Sequence, residues 1–228
     1  MTLGQLRARF RARVPSAKSA GITNTTMNNL LNEGVDEVNL IAKVYNKSNG
    51  SEFESTINKQ TYSISKDAVI SDYLAIGKSG IWFEKSDGTF ERLIPKTRVW
   101  FDDNIRNWRE ASAGDPQFYY VEGDEIGFDV PFSASRTLRV FHLLKSIAMD
   151  SDDNYPWVNT TTEVTALMAM DNAIVAYARW QVQPALGKDK NGVLTEQQFQ
   201  KEALASGRKV KARDDYSNYF SNGMSFRA

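Results

Sequence analysis

Residues 160–186 read TTTEVTALMAMDNAIVAYARWQVQPAL, the longest uninterrupted helical pattern in the chain. Thr160 and Glu163 have the spacing of a capping box, in which the hydroxyl accepts an amide of the first turn and the carboxylate reaches back to the cap. Downstream, Val164, Leu167, Met168, Asp171, Ile174, Val175, Ala178 and Val182 fall on one 3.6-residue face, with Asp171 its only polar member. Met170, Ala173, Tyr177 and Trp180 fill the adjacent faces, leaving Asn172, Arg179 and Gln183 as a narrow wet edge. The pattern predicts a buried helix about 40 Å long, ended by Pro184 and Gly187. Such a helix serves as a core pillar, or turns one face to a second subunit, and Met170, Tyr177 and Trp180 are the candidates for that contact.

Working outward, further helices flank this one. Leu3, Leu6, Phe10 and Val14 recur at helical spacing with arginines between them, so Thr2–Val14 reads as a short amphipathic helix stopped by Pro15. From Asn24 to Tyr45 a second helix lines up Met27, Leu30, Leu31, Val35, Val38, Ile41 and Tyr45, with Thr23 or Thr25 able to cap it. Asn49-Gly50 marks a turn after it. On the C-terminal side, Thr195 with Gln198 opens a last helix to about Arg213, with Phe199, Ala203 and Val210 as a thin apolar stripe.

Between Ile57 and Leu144 the period changes from 3.6 to 2. Residues 80–85 and 89–93 flank Ser86-Asp87-Gly88, an Asp-Gly hairpin signal. Pro95 suits the first turn of a short helix carrying Val99, Trp100 and Ile105. Residues 118–121 and 125–130 flank a second turn at Glu122-Gly123-Asp124, and Thr137–Leu144 alternates again. The expected fold class is α+β: a bundle of three to four helices, with a small antiparallel sheet of hairpins inserted between the second helix and the long C-terminal helices. One domain is expected over 1–213, helical at 1–47 and 157–213 and β at 57–145, with 214–228 as a tail that is flexible until bound. That tail holds Tyr216, Tyr219, Phe220, Met224 and Phe226 among Ser, Asn and Gly, a composition that suits an anchor ordered by a partner.

The 228 residues balance 28 bases against 28 acids, but unevenly. Residues 1–20 carry five bases and no acid, and 201–228 carry six bases and three acids, so positions 21–200 are net −8. Basic ends suit acidic partners or nucleic acid. No cysteine is present, which removes disulfides, thiolate nucleophiles and Cys-based metal sites. Neither a signal-peptide core nor a membrane-length apolar run occurs, and a soluble, untargeted protein is expected.

Motifs of catalysis are lacking. His142 is the single histidine and sits in a strand pattern, where a core role outweighs catalysis. An EF-hand frame on Gly192 puts Gly187 and Gln198 where carboxylates belong, and the acidic run at Asp150, Asp152 and Asp153 meets Tyr155-Pro156 in place of the sharp-turn glycine. There is no P-loop, dinucleotide fingerprint or nucleophile elbow. The expectation is no enzyme, no metal and no cofactor.

Several strings resemble the head-to-tail connector (adaptor) proteins of tailed bacteriophages. MTLGQLRARFRARV followed by LLNEGVDEV is similar to that family's opening helix and its second helix, here with Leu31-Asn32-Glu33. NWREASAGDPQFYYVEGDEIGFDVP is similar to its succession of tryptophan, Gly-x-Pro, tyrosine, hairpin and proline, carried by Trp108, Gly114, Pro116, Tyr119, Gly123 and Pro131. The chain departs at Ser65 and Ser133, where family members often carry proline. The resemblance implies a virion protein of the phage neck, assembled in the host cytoplasm as a cyclic homo-oligomer, dodecameric by the family's pattern. Its implied partners are the portal, a tail or second neck protein, and DNA that passes through the ring without sequence-specific binding; no membrane is involved. On the same basis Tyr216, Tyr219, Phe220 and Phe226, and secondarily Arg7 and Arg11, are candidates for portal docking. The rival expectation is a tail or surface module that recognises a carbohydrate or protein receptor, with Trp82 and Trp157 as exposed sugar platforms.

Overall fold

A computed structural model describes residues 1–17, 20–45, 50–158, 165–186 and 192–221, at 165–166, 184 and 212–221 by backbone alone. It contains helices α1 (Leu3–Arg13), α2 (Asn24–Ala42), α3 (Arg98–Asn104), α4 (Asp171–Gln181) and α5 (Glu196–Ser221). The strands are β1 (Ser51–Glu54), β2 (Thr61–Ser63), β3 (Tyr73–Glu84), β4 (Phe90–Arg92), β5 (Ile94–Pro95), β6 (Phe118–Glu122), β7 (Glu125–Phe128) and β8 (Thr137–Leu144). The chain divides into two compact units, one from 1–45 with 145–228 and the other from 46–144.

In the helical unit, α1, α2, α4 and α5 share one apolar core. Leu3, Leu6, Phe10 and Val14 are all fully buried, which explains why the arginines alternate with them. Thr2 caps α1 in a full capping box with Gln5, and Thr23 caps α2. The opening stretch is not one long helix. Thr165–Met170 is a 3-10 run, α4 spans only Asp171–Gln181, and Gln183–Leu186 is 3-10 again. Asp171 is a poor interior residue and a favoured first-turn one, so the α geometry starts there, and Pro184, without an amide hydrogen, prevents its continuation. Thr160 and Glu163 lie outside the described residues. Within α4, Ile174, Val175 and Ala178 are buried while Asn172 and Arg179 stay half-buried, as the periodicity predicts; Met168 departs from it and is 42% exposed. On α5 the buried positions are Phe199, Ala203, Ser206, Gly207 and Val210, and the helix continues past Arg213 to Ser221.

The second unit corrects the expected fold class. It is no small sheet of hairpins inserted in a bundle: the eight strands form two four-stranded sheets, ordered β1-β8-β3-β4 and β2-β7-β6-β5. Phe53, Ile81, Phe83, Leu138 and Val140 from the first sheet pack with Tyr62, Tyr119, Ile126 and Phe128 from the second in one core. The seven of these nine that are Phe, Ile, Leu or Val would each contribute roughly 1.5–3 kcal/mol on burial, so this unit has a core of its own. Two features conceal it in the sequence. β1 has a single buried residue, Phe53, in Ser-Glu-Phe-Glu and carries too little alternation to register. β3 runs back to Tyr73, but its pairing with β8 slips between Ile76 and Ile81, where Gly77, Ser79 and Gly80 interrupt the period. Pro95 belongs to β5, paired parallel with β6, and Thr97 caps α3. Under α3 lies a separate aromatic cluster of Phe101, Trp108 and Tyr120.

Candidate interaction surfaces

Titratable groups of the β-rich unit are committed to loops. Asp67 is held below the usual carboxylate range by Lys59 (2.7 Å) and the Ser63 amide, and Asp124 by the hydroxyls of Ser63 and Ser65. Asp102 is likewise lowered, first by the Trp108 indole N–H at 2.8 Å. These bonds staple the loop after β2 to the β6–β7 turn, and α3 to the segment that follows it. His142 is fully buried, with Nδ1 3.2 Å from the Val140 carbonyl oxygen and Nε2 3.1 Å from Asp72 Oδ1, bracing β8 in its sheet. No group of three or more His, Cys, Asp or Glu able to hold a metal occurs among the described residues.

Asp129 is 8% exposed, and burial holds its carboxyl above the usual range although the amides of Gln117 (3.0 Å) and Phe118 (3.1 Å) donate to it. A carboxyl raised on folding binds its proton more tightly in the folded state. Its contribution is present below the ordinary carboxylate pKa and is lost as pH rises through the folded value. Asp129→Asn keeps an acceptor for both amides and removes the titration. The variant should therefore gain stability relative to the parent as pH rises above the ordinary carboxylate pKa of about 4, read as the difference in urea midpoints. A difference that does not change with pH would refute this.

The residues singled out for contacts are distributed unevenly. Met170 is fully buried and Tyr177 is 7% exposed; Trp180 is half-buried, stacked on Phe199 at 5.5 Å and 10°. Burial raises the Tyr177 hydroxyl pKa to about 12, with Glu33 and Glu37 adding to it. Arg7 binds Asn28 and Asp152, and Arg11 donates to Asn24 at 2.6 Å, so both arginines tie α1 to its own unit. Tyr216, Tyr219 and Phe220 fall on the last turns of α5, three and four residues apart, the spacing of one helical side; Phe226 lies outside the described residues. Trp157 is 2% exposed against Tyr45 at 5.4 Å, and the half-buried Trp82 donates to the Ser79 carbonyl, so neither is a free platform for a sugar.

Several open clefts occur in the β-rich unit. One of about 430 Å³ lies between Phe83, Arg92, Ile94 and Asp115, and one of about 450 Å³ runs along β2. Sequence reasoning does not single out the exposed aliphatics of this unit: Ile57 (54%), Val69 (72%), Ile94 (51%) and Val99 (67%). The one available signal was Ile94-Pro95, an apolar pair at a strand that cannot be central.

With these surfaces in view, a family model described as SU10 adaptor protein matches residues 1–223. The chain belongs to the SU10 adaptor protein family. This is a phage head–tail adaptor family, so the protein is a structural adaptor, and its function resides in contacts with other head and tail proteins. That class of protein is not an enzyme class. No curated protein matches the chain. No helix among the described residues is long and apolar enough to cross a membrane, and the family points to a virion component.

Proposed function

We propose that this adaptor forms a ring in the phage neck that joins the portal to the tail and continues the DNA channel. The carrying observation is the family match over residues 1–223. Closure into a ring needs two different patches per subunit that complement each other around the circle. In such a ring Met170 and Tyr177 act from inside the helical unit, shaping its wall, and Trp180 is the member of that trio that keeps surface for a neighbour. DNA passes without sequence-specific contacts, and an acidic lumen repels its phosphates. Negative-stain microscopy of the full chain, alone and with the portal of its phage, tests the assignment. Rings seated on the portal are expected; a chain that stays monomeric and ignores the portal would sink the reading.

Portal docking is assigned to 214–228, with Tyr216, Tyr219, Phe220 and Phe226 as anchors and Arg7 and Arg11 as flanking cations. Deleting 214–228 retains Phe199, Ala203 and Val210, which α5 buries in the helical core, and is expected to leave the thermal unfolding of the helical unit within about 2 °C of the parent while abolishing co-sedimentation with the portal. Unchanged co-sedimentation would reject the docking assignment.

A further inference from the structure

Two helices of the helical unit carry opposite charge. α2 has three acids, Glu33, Asp36 and Glu37, and no base. None of the three forms an ion pair among the described residues. Asp36 accepts the Ser146 amide at 2.8 Å, and Glu33 and Glu37 lie beside the Tyr177 hydroxyl, which they help to keep protonated. The segment laid along α2, with the Met149 amide donating to Asn32 at 2.9 Å, adds Asp150 and Asp153 against one base, Lys145; Asp152 is taken by Arg7. On α5 the side chains from 196 to 211 include Lys201, Arg208, Lys209 and Lys211, all exposed and without a carboxylate partner among the described residues, and two acids, Glu196 and Glu202. Counted alike, three acids to no base puts α2 at −3, and four bases to two acids puts this part of α5 at +2. With Arg213, Asp214 and Asp215 included, α5 remains positive, at +1 over its length.

Neither set is accounted for within its own helix. Acids are favoured near a helix N-terminus and bases near a C-terminus. α2 has no acid in its first turn and carries its acids in the middle and second half, while α5 has no base in its last turn. Glu33 and Glu37 are four residues apart and Arg208 and Lys211 three apart, and like charges at those spacings destabilise the helix that bears them. Each ridge is unfavourable alone and is the complement of the other.

The two ridges also share a spacing. Leu40 follows Glu37 by three residues and Glu33 by seven, so it stands on their side of α2, half-buried. Leu204 precedes Arg208 by four residues and Lys211 by seven, on their side of α5, and is 47% exposed. Each helix thus presents a leucine and two like charges over two turns, and the order runs in opposite chain directions: Leu204, Arg208, Lys211 on α5, and Leu40, Glu37, Glu33 on α2.

We propose that α5 of one copy lies antiparallel on α2 of the next, with Leu204 against Leu40, Arg208 opposite Glu37 and Lys211 opposite Glu33. Because the two patches differ, the contact passes from copy to copy and can close into a circle. The proposal rests on the ring reading and supplies the two complementary patches that such a ring needs. A nucleic acid is the poorer occupant of α5, since a continuous polyanion would meet Asp214 and Asp215 within about a turn of Lys211.

Three full-length variants are compared with the parent by counting rings on the portal in negative stain: Arg208→Glu with Lys211→Glu, Glu33→Lys with Glu37→Lys, and all four substitutions together. Each reversed ridge faces like charge and is expected to cut the ring yield at least about tenfold, and the fourfold variant to restore it. Rings unaffected by either reversal, or a fourfold variant that unfolds like the parent yet forms none, would overturn the ridge contact while leaving the ring reading intact. The chain has no cysteine, so Leu40→Cys and Leu204→Cys chains carrying different tags give a second measurement should a reversed chain fold poorly. Their mixed disulfide is expected to exceed either self-disulfide; equal yields would overturn the contact. Thiols that couple in open filaments would support the contact and remove the closed ring. Duplex DNA retarded by the parent and released by Arg208→Glu with Lys211→Glu would assign these bases to phosphate and overturn the proposal.

Discussion

Gly192→Ala should lower the unfolding temperature of the helical unit by roughly 10 °C, from a loss of about 3–4 kcal/mol. Gly192 has φ +78, and a Cβ on it would sit 1.7 Å from the carbonyl oxygen of Arg13 and 2.8 Å from its carbonyl carbon. The obstacle is backbone at the end of α1, which cannot rotate away as a side chain would. One of the two segments must move, and both are held: the Arg179 guanidinium donates to the Gly192 carbonyl at 2.6 Å, and Val14 donates to Phe10 at 2.9 Å. Burial lowers the Arg179 pKa, and nearby Arg13 adds to this, so loosening the packing would also change how those cations are solvated. Gly21→Ala is the control. It shares the positive φ, +74, but has nothing within 4 Å of the added carbon, and should cost only about 1 kcal/mol. Equal thermal shifts for the two variants would show that the close approach to α1 does not matter. In the sequence, Gly192 stood in a polar turn; that it is the point of contact with residue 13 depends on a separation of 179 positions that no local pattern encodes.

The same limit explains what could be read and what could not. Helical faces were legible because burial repeats within a few residues: Leu3, Leu6 and Phe10 on α1, Met27, Leu31, Val35 and Val38 on α2, and Phe199, Ala203 and Val210 on α5 all point into one core. Turn chemistry was legible for the Asp87-Gly88 and Gly123-Asp124 hairpins, where φ is positive at Gly88 and Gly123. Sheet order was not. The partner of β1 is β8, some eighty residues on, and its register (Phe53 with Leu138) is set by a core filled from both sheets. The 3-10 runs beside α4 are not legible because six residues make at most two turns, too few repeats to tell a 3.0-residue period from a 3.6-residue one. The contact candidates Met170 and Tyr177 stand out in the sequence by their apolarity, which marks a core as readily as an interface. The exposed set Ile57, Val69, Ile94 and Val99 looks no different in sequence from buried aliphatics, and only the folded structure distinguishes it.

Asn39→Leu should cost the helical unit about 3–5 kcal/mol, although it replaces a polar side chain with an apolar one of similar size in a fully buried position. The Asn39 amide donates to the Tyr45 carbonyl at 2.8 Å, and its side-chain oxygen accepts from the amides of Val44 (3.2 Å) and Tyr45 (2.9 Å). These bonds close the C-terminal end of α2, where helical carbonyls run out and the chain turns through Lys43 at φ 53, a conformation that glycine usually supplies. Leucine would keep the volume and leave three backbone groups without their partner, and a buried orphan costs about 1–3 kcal/mol, less than additively when neighbours relax together. The turn also carries Tyr45 onto Trp157, so its loss should raise amide hydrogen exchange at residues 43–45 before global unfolding. Lys43→Gly tests the opposite sign: with the backbone conformation unchanged and the left-handed penalty removed, it should stabilise the parent by about 1 kcal/mol. In the Asn39→Leu background that gain should shrink, because the turn that demands φ 53 is no longer held, and a double-mutant cycle reads the coupling directly. Strict additivity of the two substitutions would mean that the Asn39 side chain does not impose the turn, and the predicted loss would then have to come from packing alone.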